Sequence, residues 1–364
     1  MKVKEIVSWL NEYAPFSQQE SYDNSGLQTG DPEWEVISIL LCIDITEEVI
    51  VEALHLNSNL IISHHPVIFN ELKSLTGKTF TERIIIEAIR NNIAIISSHT
   101  NIDIAYNGVS AKMCEKLQLQ NIKILNPVKD FLLKLVFFVP VDHADKVREK
   151  IFAEGAGYIG NYDMCSFNVE GTGTFRASEN AKPFIGKKGE IHFEKEIRVE
   201  TILPAFLQNK IISALIQTHP YEEVAYDIYP LKNIYNKAGS GMIGDLLTPI
   251  DEYEFLLQLK QVFNCSSLRH TNLLNKKIKK VALCGGSGSF LLPDAIAAGA
   301  DIFISGDFKY HQFFSAEKKI IIADLGHYES EQFTKELFYE ILAKKIPTFA
   351  IHLSEVKTNP INYL

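Results

Sequence analysis

The chain reads as an α/β protein assembled from both of its ends, with a different α+β segment set into the middle. Three observations predict this. At 364 residues and 46% apolar composition, the chain exceeds what a single hydrophobic core usually holds. At both ends, short β-rich apolar runs alternate with helical stretches, which is the rhythm of βαβ units. Between about Pro127 and Pro230 that rhythm is replaced by longer strand-like segments joined as hairpins.

Taken in order, MKVKEIVSWLNEYAP has the spacing of an amphipathic helix. It is followed by the strand VISILLCID, the helix TEEVIVEALHL, the strand NLIISHHP, the helix ERIIIEAIRNN and the strand IAIISSHTNID. These strands are apolar on consecutive positions, as parallel strands covered by helices on both faces must be. The middle begins with the strand LLKLVFFVP and a helix around ADKVREKIFAEG. Hairpin-like segments CSFNVEGTGTFRA and GEIHFEKEIRVETIL come next, then a helix through FLQNKIISALIQT, an order that resembles a βαββαβ unit. The opening rhythm then returns in KKVALCGGSGS, LLPDAIAAGA, DIFISGDFKYH and KKIIIADLGHYESEQFTKELFYEILAKK. No low-complexity segment or tandem repeat interrupts the chain.

Composition excludes several classes of function. A net charge of −9 supplies no basic face for phosphate backbones, so nucleic-acid binding is not expected. Five cysteines, odd in number and without a CxxC pair, read as reduced thiols of a cytoplasmic protein. No apolar run approaches the roughly 18 residues of a membrane span, so no membrane partner is expected.

The chemistry-bearing residues follow the predicted strands. In an open α/β sheet, loops leaving the carboxyl ends of parallel strands converge on one edge, where ligands bind. His64 and His65 follow NLIIS, and adjacent residues at a strand exit project to opposite sides, so each can serve a different metal ion. The bland alternative is one buried structural histidine beside one surface histidine. Asp103 closes SHTNID and suits a bridging carboxylate, or else shapes a turn. His99 is a ligand, a donor that orients Asp103, or a turn residue. His327 and Glu331 stand four residues apart at the start of a helical run, hence on one face, while Glu329 points elsewhere. The alternative for Glu331 is a plain partner for the positive helix N-terminus. Three histidines and two carboxylates are too many for one tetrahedral ion with an open position and suit two divalent ions, of Zn, Mn, Fe, Co or Ni. Two such ions about 3.5 to 4 Å apart lower the pKa of a trapped water toward neutrality.

Two more loops lie on the expected edge. Gly285, Gly286, Ser287 and Gly288 follow a strand and precede a helix, as a phosphate cradle does, although no GK[ST] follows and a tight turn fits as well. Asp307, Lys309 and His311 in SGDFKYH offer polar cleft residues, with His311 either an acid/base group or solvent-facing.

Taken together, YDNSGLQ at 22–28, SHHP at 63–66, SHTNID at 98–103, CGGSG at 284–288, SGDFKYH at 305–311 and GHYESE at 326–331 resemble the Nif-three-like family, also called GTP cyclohydrolase I type 2 homologues. The resemblance spans nearly the whole chain. It implies a dinuclear site on His64, His65, Asp103, His327 and Glu331, choosing Glu331 over Glu329. It also implies a three-layer α/β domain formed by residues 1–126 and 232–364, with a ferredoxin-like insert at 127–231 similar to the PII and CutA proteins. The GTFR segment at 173–176 and HPYEEVAYD at 219–227 belong to that insert, the latter as a second ligand site or as a structural turn and interface. A toroidal homohexamer is implied by the same analogy. Two positions depart from the family pattern: Tyr22 stands where Trp is common, and Asp307 where Glu is common.

The function that the resemblance implies is hydrolytic opening of the GTP imidazole ring, releasing formate and dihydroneopterin triphosphate. In that reaction His99 or His311 is the expected proton donor or acceptor, and the 285–288 loop a triphosphate cradle. A metal-dependent phosphoesterase, or a non-enzymatic metal-binding sensor or scaffold, would use the same ligands.

Overall fold

The computed structural model describes all residues from 1 to 364. Its contacts divide the chain into two units, one of Met1–Pro127 with Asn236–Leu364 and one of Val128–Tyr235.

The first unit contains two sheets. One has the strand order Gly26–Thr29, Ala94–Ser97, Leu60–Ser63, Ile39–Cys42, Ile351–Leu353. The last four of these run parallel, and Gly26–Thr29 closes one side antiparallel. Every residue of Ile39–Cys42, Leu60–Ser63 and Ala94–Ser97 is buried, because both faces are covered. On one face Ile39, Leu41, Leu60 and Ile62 pack with Val3, Ile6 and Leu10 of helix Val3–Tyr13 and with Leu337 and Phe338 of helix Thr334–Lys345. On the other, Leu40, Ile61 and Ile95 meet Val49 and Ala53 of helix Glu47–His55 and Ile84 and Ala88 of helix Phe80–Arg90. Thr46 and Thr79 start those two helices by accepting hydrogen bonds from Val49 and Glu82 amides.

The second sheet has the order Arg269–His270, Ile321–Asp324, Ile302–Ser305, Lys277–Leu283, Tyr235–Asp251, Gln120–Val128. Its three middle apolar strands, Lys277–Leu283, Ile302–Ser305 and Ile321–Asp324, are mutually parallel. Helices Glu252–Val262 and Val109–Lys116 cover one face, and helix Leu292–Ala297 the other. Lys112 and Lys116 bind Glu340 and Glu336 at 2.6 Å each, tying helix Val109–Lys116 to helix Thr334–Lys345. The ligand-bearing runs therefore belong to two sheets and not to one edge of a single sheet. Their identical apolar pattern carries no information about which strand pairs with which, and backbone pairing alone decides it.

The second unit runs strand Leu132–Pro140, helix Ala144–Ala153, strands Ser166–Arg176 and Ile191–Pro204, helix Gln208–Thr218, strand Tyr226–Leu231. The sheet order is second, third, first, fourth strand, and all neighbours are antiparallel. Leu135, Phe137, Val139 and Val199 face Val147, Ile151, Ile211 and Leu215 of the two helices, which forms a core of its own. No helix of the structure is long and apolar enough to cross a membrane, and all five cysteines are free.

Candidate metal centre

The carboxyl ends of both sheets of the first unit contribute to one cluster. His64 and His65 continue the line of Leu60–Ser63, their amides bonding the carbonyls of Cys42 and Ile43 at 3.2 and 2.9 Å. The two rings lie with centroids 4.8 Å apart. After Ala94–Ser97 the chain turns at His99 into the single helical turn Thr100–Asp103, whose Asp103 amide bonds the His99 carbonyl at 3.1 Å. From the second sheet, Ile321–Asp324 leads through Gly326, at φ 98°, into the short helix His327–Glu331. That helix is separate from Thr334–Lys345, yet it keeps His327 and Glu331 on one face.

Glu331 Oε2 lies at the centre, 3.6 Å from His64 Nε2, 3.0 Å from His65 Nε2 and 3.1 Å from His327 Nε2. His64 Nε2 is also 3.6 Å from Asp103 Oδ1, and the Nε2 atoms of His65 and His327 face each other at 3.3 Å. His64 Nε2, Asp103 Oδ1 and Glu331 Oε2 are buried, and none makes a hydrogen bond. Three such atoms gathered together cost free energy unless a cation, or protons on the neighbouring rings, sits between them. A tetrahedral ion with bonds of about 2.1 Å separates its ligands by about 3.4 Å, which is the spacing seen here. The donors fall into three sets of three: His65–His327–Glu331 and His64–Asp103–Glu331, which share Glu331, and His64–His65–His99.

Each ring is turned by its other nitrogen. His64 Nδ1 meets the Ser98 carbonyl at 3.0 Å, His65 Nδ1 meets Asp44 Oδ1 at 2.7 Å, and His327 Nδ1 meets Asp307 Oδ2 at 2.7 Å. With Nδ1–H donated to oxygen, every Nε2 presents its lone pair inward, the tautomer that a cation requires. Asp44 is itself anchored by Thr358 Oγ1 at 2.7 Å. Asp44→Asn is expected to weaken cation binding about 10- to 100-fold with little change in fold, as measured by competition with a chelating dye. Unchanged affinity would mean that the bond to His65 does not orient the ring.

Without a cation, burial opposes a charge on His65, but Asp44 and Glu331 overcome it and push its pKa up to about 10. His327 is likewise lowered by burial, raised more by Glu331 and Asp307, and ends at about 9. Both rings are then protonated at neutral pH, and a cation must displace those protons. Binding is therefore expected to release one to two protons per chain and to weaken as pH falls below about 9. Calorimetry in buffers of different ionisation heat measures this, and a buffer-independent heat would contradict it.

The structure places the other expected residues as follows. His99 belongs to the cluster, with its ring centroid 5.3 Å from those of His64 and His65. It does not orient Asp103 through its ring. Its Nδ1 meets Asp23 Oδ1 at 2.7 Å, and Asp23 also accepts from Thr100 Oγ1 at 2.5 Å. Burial alone would raise the Asp23 pKa, yet these donors hold the carboxyl well below its usual range. His311 is exposed, and its ring packs against those of Tyr310 and Phe314. Glu329 points away and accepts from Asn359 Nδ2 at 2.9 Å.

The 285–288 loop is not an open anion cradle. Its Gly285, Gly286 and Gly288 amides donate to the hydroxyls of Ser110, Ser330 and Ser305 at 3.4, 2.9 and 2.9 Å. Ser287 Oγ bonds Asp307 Oδ2 at 2.5 Å. The loop buttresses the candidate metal ligands, and Gly286 is needed because a Cβ there would lie 2.2 Å from Glu331 Oε1.

Sequence reasoning missed Asp44, named Asp23 only as a motif residue, and gave Asp307 no ring to hold. For Asp44 a signal existed, since it stands two residues beyond the end of a strand that pairs with the one leading to His64.

Fold and cluster together define an α/β protein with a buried histidine–carboxylate site that can hold divalent cations. Residues 1–360 match the family model of DUF34/NIF3, NGG1p interacting factor 3, and the chain belongs to that family. It is 38% identical to a Halalkalibacterium halodurans protein named GTP cyclohydrolase 1 type 2 homolog, covering 99% of this chain and 98% of that one. A Bacillus subtilis protein of the same name is 35% identical with the same coverage. Among solved structures, a Bacillus cereus protein related to NIF3 superposes with a TM-score of 0.86 at 38% identity, over 100% of this chain and 99% of that one. A Staphylococcus aureus protein does so at 0.79 and 29%, with the same coverage.

Proposed function

We propose that this chain is a dinuclear metal-dependent hydrolase whose substrate is a nucleotide, with GTP opened to formate and dihydroneopterin triphosphate as the reaction to test first. The observation that carries it is the convergence of three buried, unpartnered atoms, His64 Nε2, Asp103 Oδ1 and Glu331 Oε2, beside two further inward Nε2 atoms. His65, His327 and Glu331 would hold one ion, and His64, Asp103 and Glu331 the other. Such ions supply Lewis-acid polarisation and a water acidic enough to react near neutral pH. The relatives' name supports GTP as the substrate.

The protein's own contribution is proton handling beside the ions. His99 is held by Asp23 through Nδ1, so its Nε2 is the nitrogen left to accept a proton from water or return one to a leaving group. The inserted unit is read as a ferredoxin-like domain of the PII and CutA kind, supported by its βαββαβ order and fully antiparallel sheet. A homohexamer, by analogy with the family, predicts a light-scattering mass six times that of one chain.

The test supplies GTP to protein loaded with Mn or Zn and follows formate and pterin fluorescence. Turnover is expected in wild type and absent in a His64→Ala, Glu331→Ala double variant. His99→Gln is expected to retain both ions and lose about 10²- to 10⁴-fold in rate. No turnover above the double variant would sink the cyclohydrolase reading. Phosphate released in place of formate would point to a phosphoesterase, and metal-dependent assembly without turnover to a scaffold.

A further inference from the structure

The inserted unit contains a cavity of about 420 Å³, within the range of about 300–1,000 Å³ typical of small-molecule sites. It is lined entirely by residues of Val128–Tyr235, none of which belongs to the metal centre. The segments GTFR and HPYEEVAYD, which the metal centre does not use, both line it.

Its walls are aromatic. Phe138, Phe175, Phe184 and Tyr221 face it, and the Tyr221 ring lies 6.2 Å from that of Phe175 and 6.3 Å from that of Phe184. Its charge is entirely negative: Glu196, Glu222 and Glu223 line it, and no lysine or arginine does. Glu222 is already committed, accepting from the Lys182 amide at 2.7 Å.

Glu196 is different. It is only 8% exposed, and its Oε1 accepts from the Tyr221 hydroxyl at 2.8 Å, whereas its Oε2 accepts no hydrogen bond and joins no ion pair. Burial and this carboxylate together hold the Tyr221 phenol above its usual pKa, so it stays a donor. Space for the carboxylate is reserved at Gly173, where a Cβ would lie 2.1 Å from Glu196 Oε2. A carboxylate whose free oxygen has no protein partner and opens onto a cavity walled by π faces is matched by a cation that carries N–H donors.

We propose that this cavity binds a small organic cation, an amidinium, guanidinium or primary ammonium head on a flat or apolar body. The head donates to Glu196 Oε2, and the body stacks among Phe138, Phe175, Phe184 and Tyr221. Phosphorylated ligands are excluded by the three carboxylates and the lack of any basic lining residue.

The test uses the intact chain and isothermal titration with three cations, benzamidine, phenethylamine and agmatine, beside the neutral benzamide and the anionic benzoate. Saturable binding of benzamidine or phenethylamine is expected, at least tenfold tighter than benzamide, with no benzoate binding. Glu196→Gln, which keeps the shape and the bond to Tyr221, is expected to abolish that tenfold preference without moving the unfolding midpoint. Methyl NMR of the bound protein supplies a readout independent of any variant, with shifts expected at Ala177, Ala181 and Ala225. Three results would each overturn the proposal: no cation saturating up to about 5 mM, benzamide binding as tightly as benzamidine, or shifts confined to other alanines.

Discussion

Glu331→Ala is expected to empty both of the proposed cation positions, because Glu331 belongs to the two donor sets assigned to them. Of the two sets that share Glu331, His65→Ala or His64→Ala removes a ligand from one and leaves the other, so each should retain one ion per chain where Glu331→Ala retains none. Elemental analysis of dialysed protein distinguishes these outcomes. Activity should fall by at least about 10³-fold in Glu331→Ala, equivalent to about 4 kcal/mol of lost transition-state stabilisation. Stability gives a second readout. A cation at about 1,000 times its Kd stabilises the folded chain by about 4 kcal/mol, and that increment should be missing from the variant. Full occupancy in Glu331→Ala would remove the shared-carboxylate arrangement altogether.

Gly286→Ala should reach nearly the same end without touching a ligand. The added Cβ would lie 2.2 Å from Glu331 Oε1 and 3.3 Å from His327 Cε1, at a backbone φ of 59°. The left-handed backbone alone costs roughly 1–2 kcal/mol for a residue with a side chain. The carboxylate must then turn out of the cluster, and a loss of about 100-fold or more in cation affinity is expected, on the scale of about 1.4 kcal/mol per factor of ten. Gly299→Ala is the matched control, since its φ of 70° imposes the same strain while nothing lies within 4 Å of the new Cβ. It should lose stability and keep its ions. Equal affinity in both variants would show that the close approach to Glu331 has no effect on the site.

Much of this was legible in the chain itself. Each of the five donors stands at or within a few residues of a short apolar run, and such runs end in loops where polar residues are otherwise unexplained. His327 and Glu331 could be paired by spacing alone, since four residues make one helical turn whether the helix is long or, as here, five residues. The ring partners were not legible. Asp44 and Asp23 lie 21 and 76 positions from the histidines they hold. Nothing local marks an aspartate as facing an imidazole so far along the chain. His311 shows the converse. Its motif sits beside Asp307, which does reach the centre, but the turn that brings Asp307 inward leaves His311 in solvent.

By itself, then, the sequence determined which residue types were available for metal chemistry, the helical and extended periods that place them at element ends, and the change of pattern that marks the middle unit. These are local properties, set by side-chain chemistry within a few residues. Only the tertiary structure decided that two sheets, and not one, supply the donors, and that Asp44, Asp307 and the Ser98 carbonyl turn the three rings inward. It alone placed Glu331 Oε2 between them and left Glu196 with an unanswered oxygen. Strand pairing and the packing of remote carboxylates against rings are set by the cooperative burial of the whole core, which no single segment encodes.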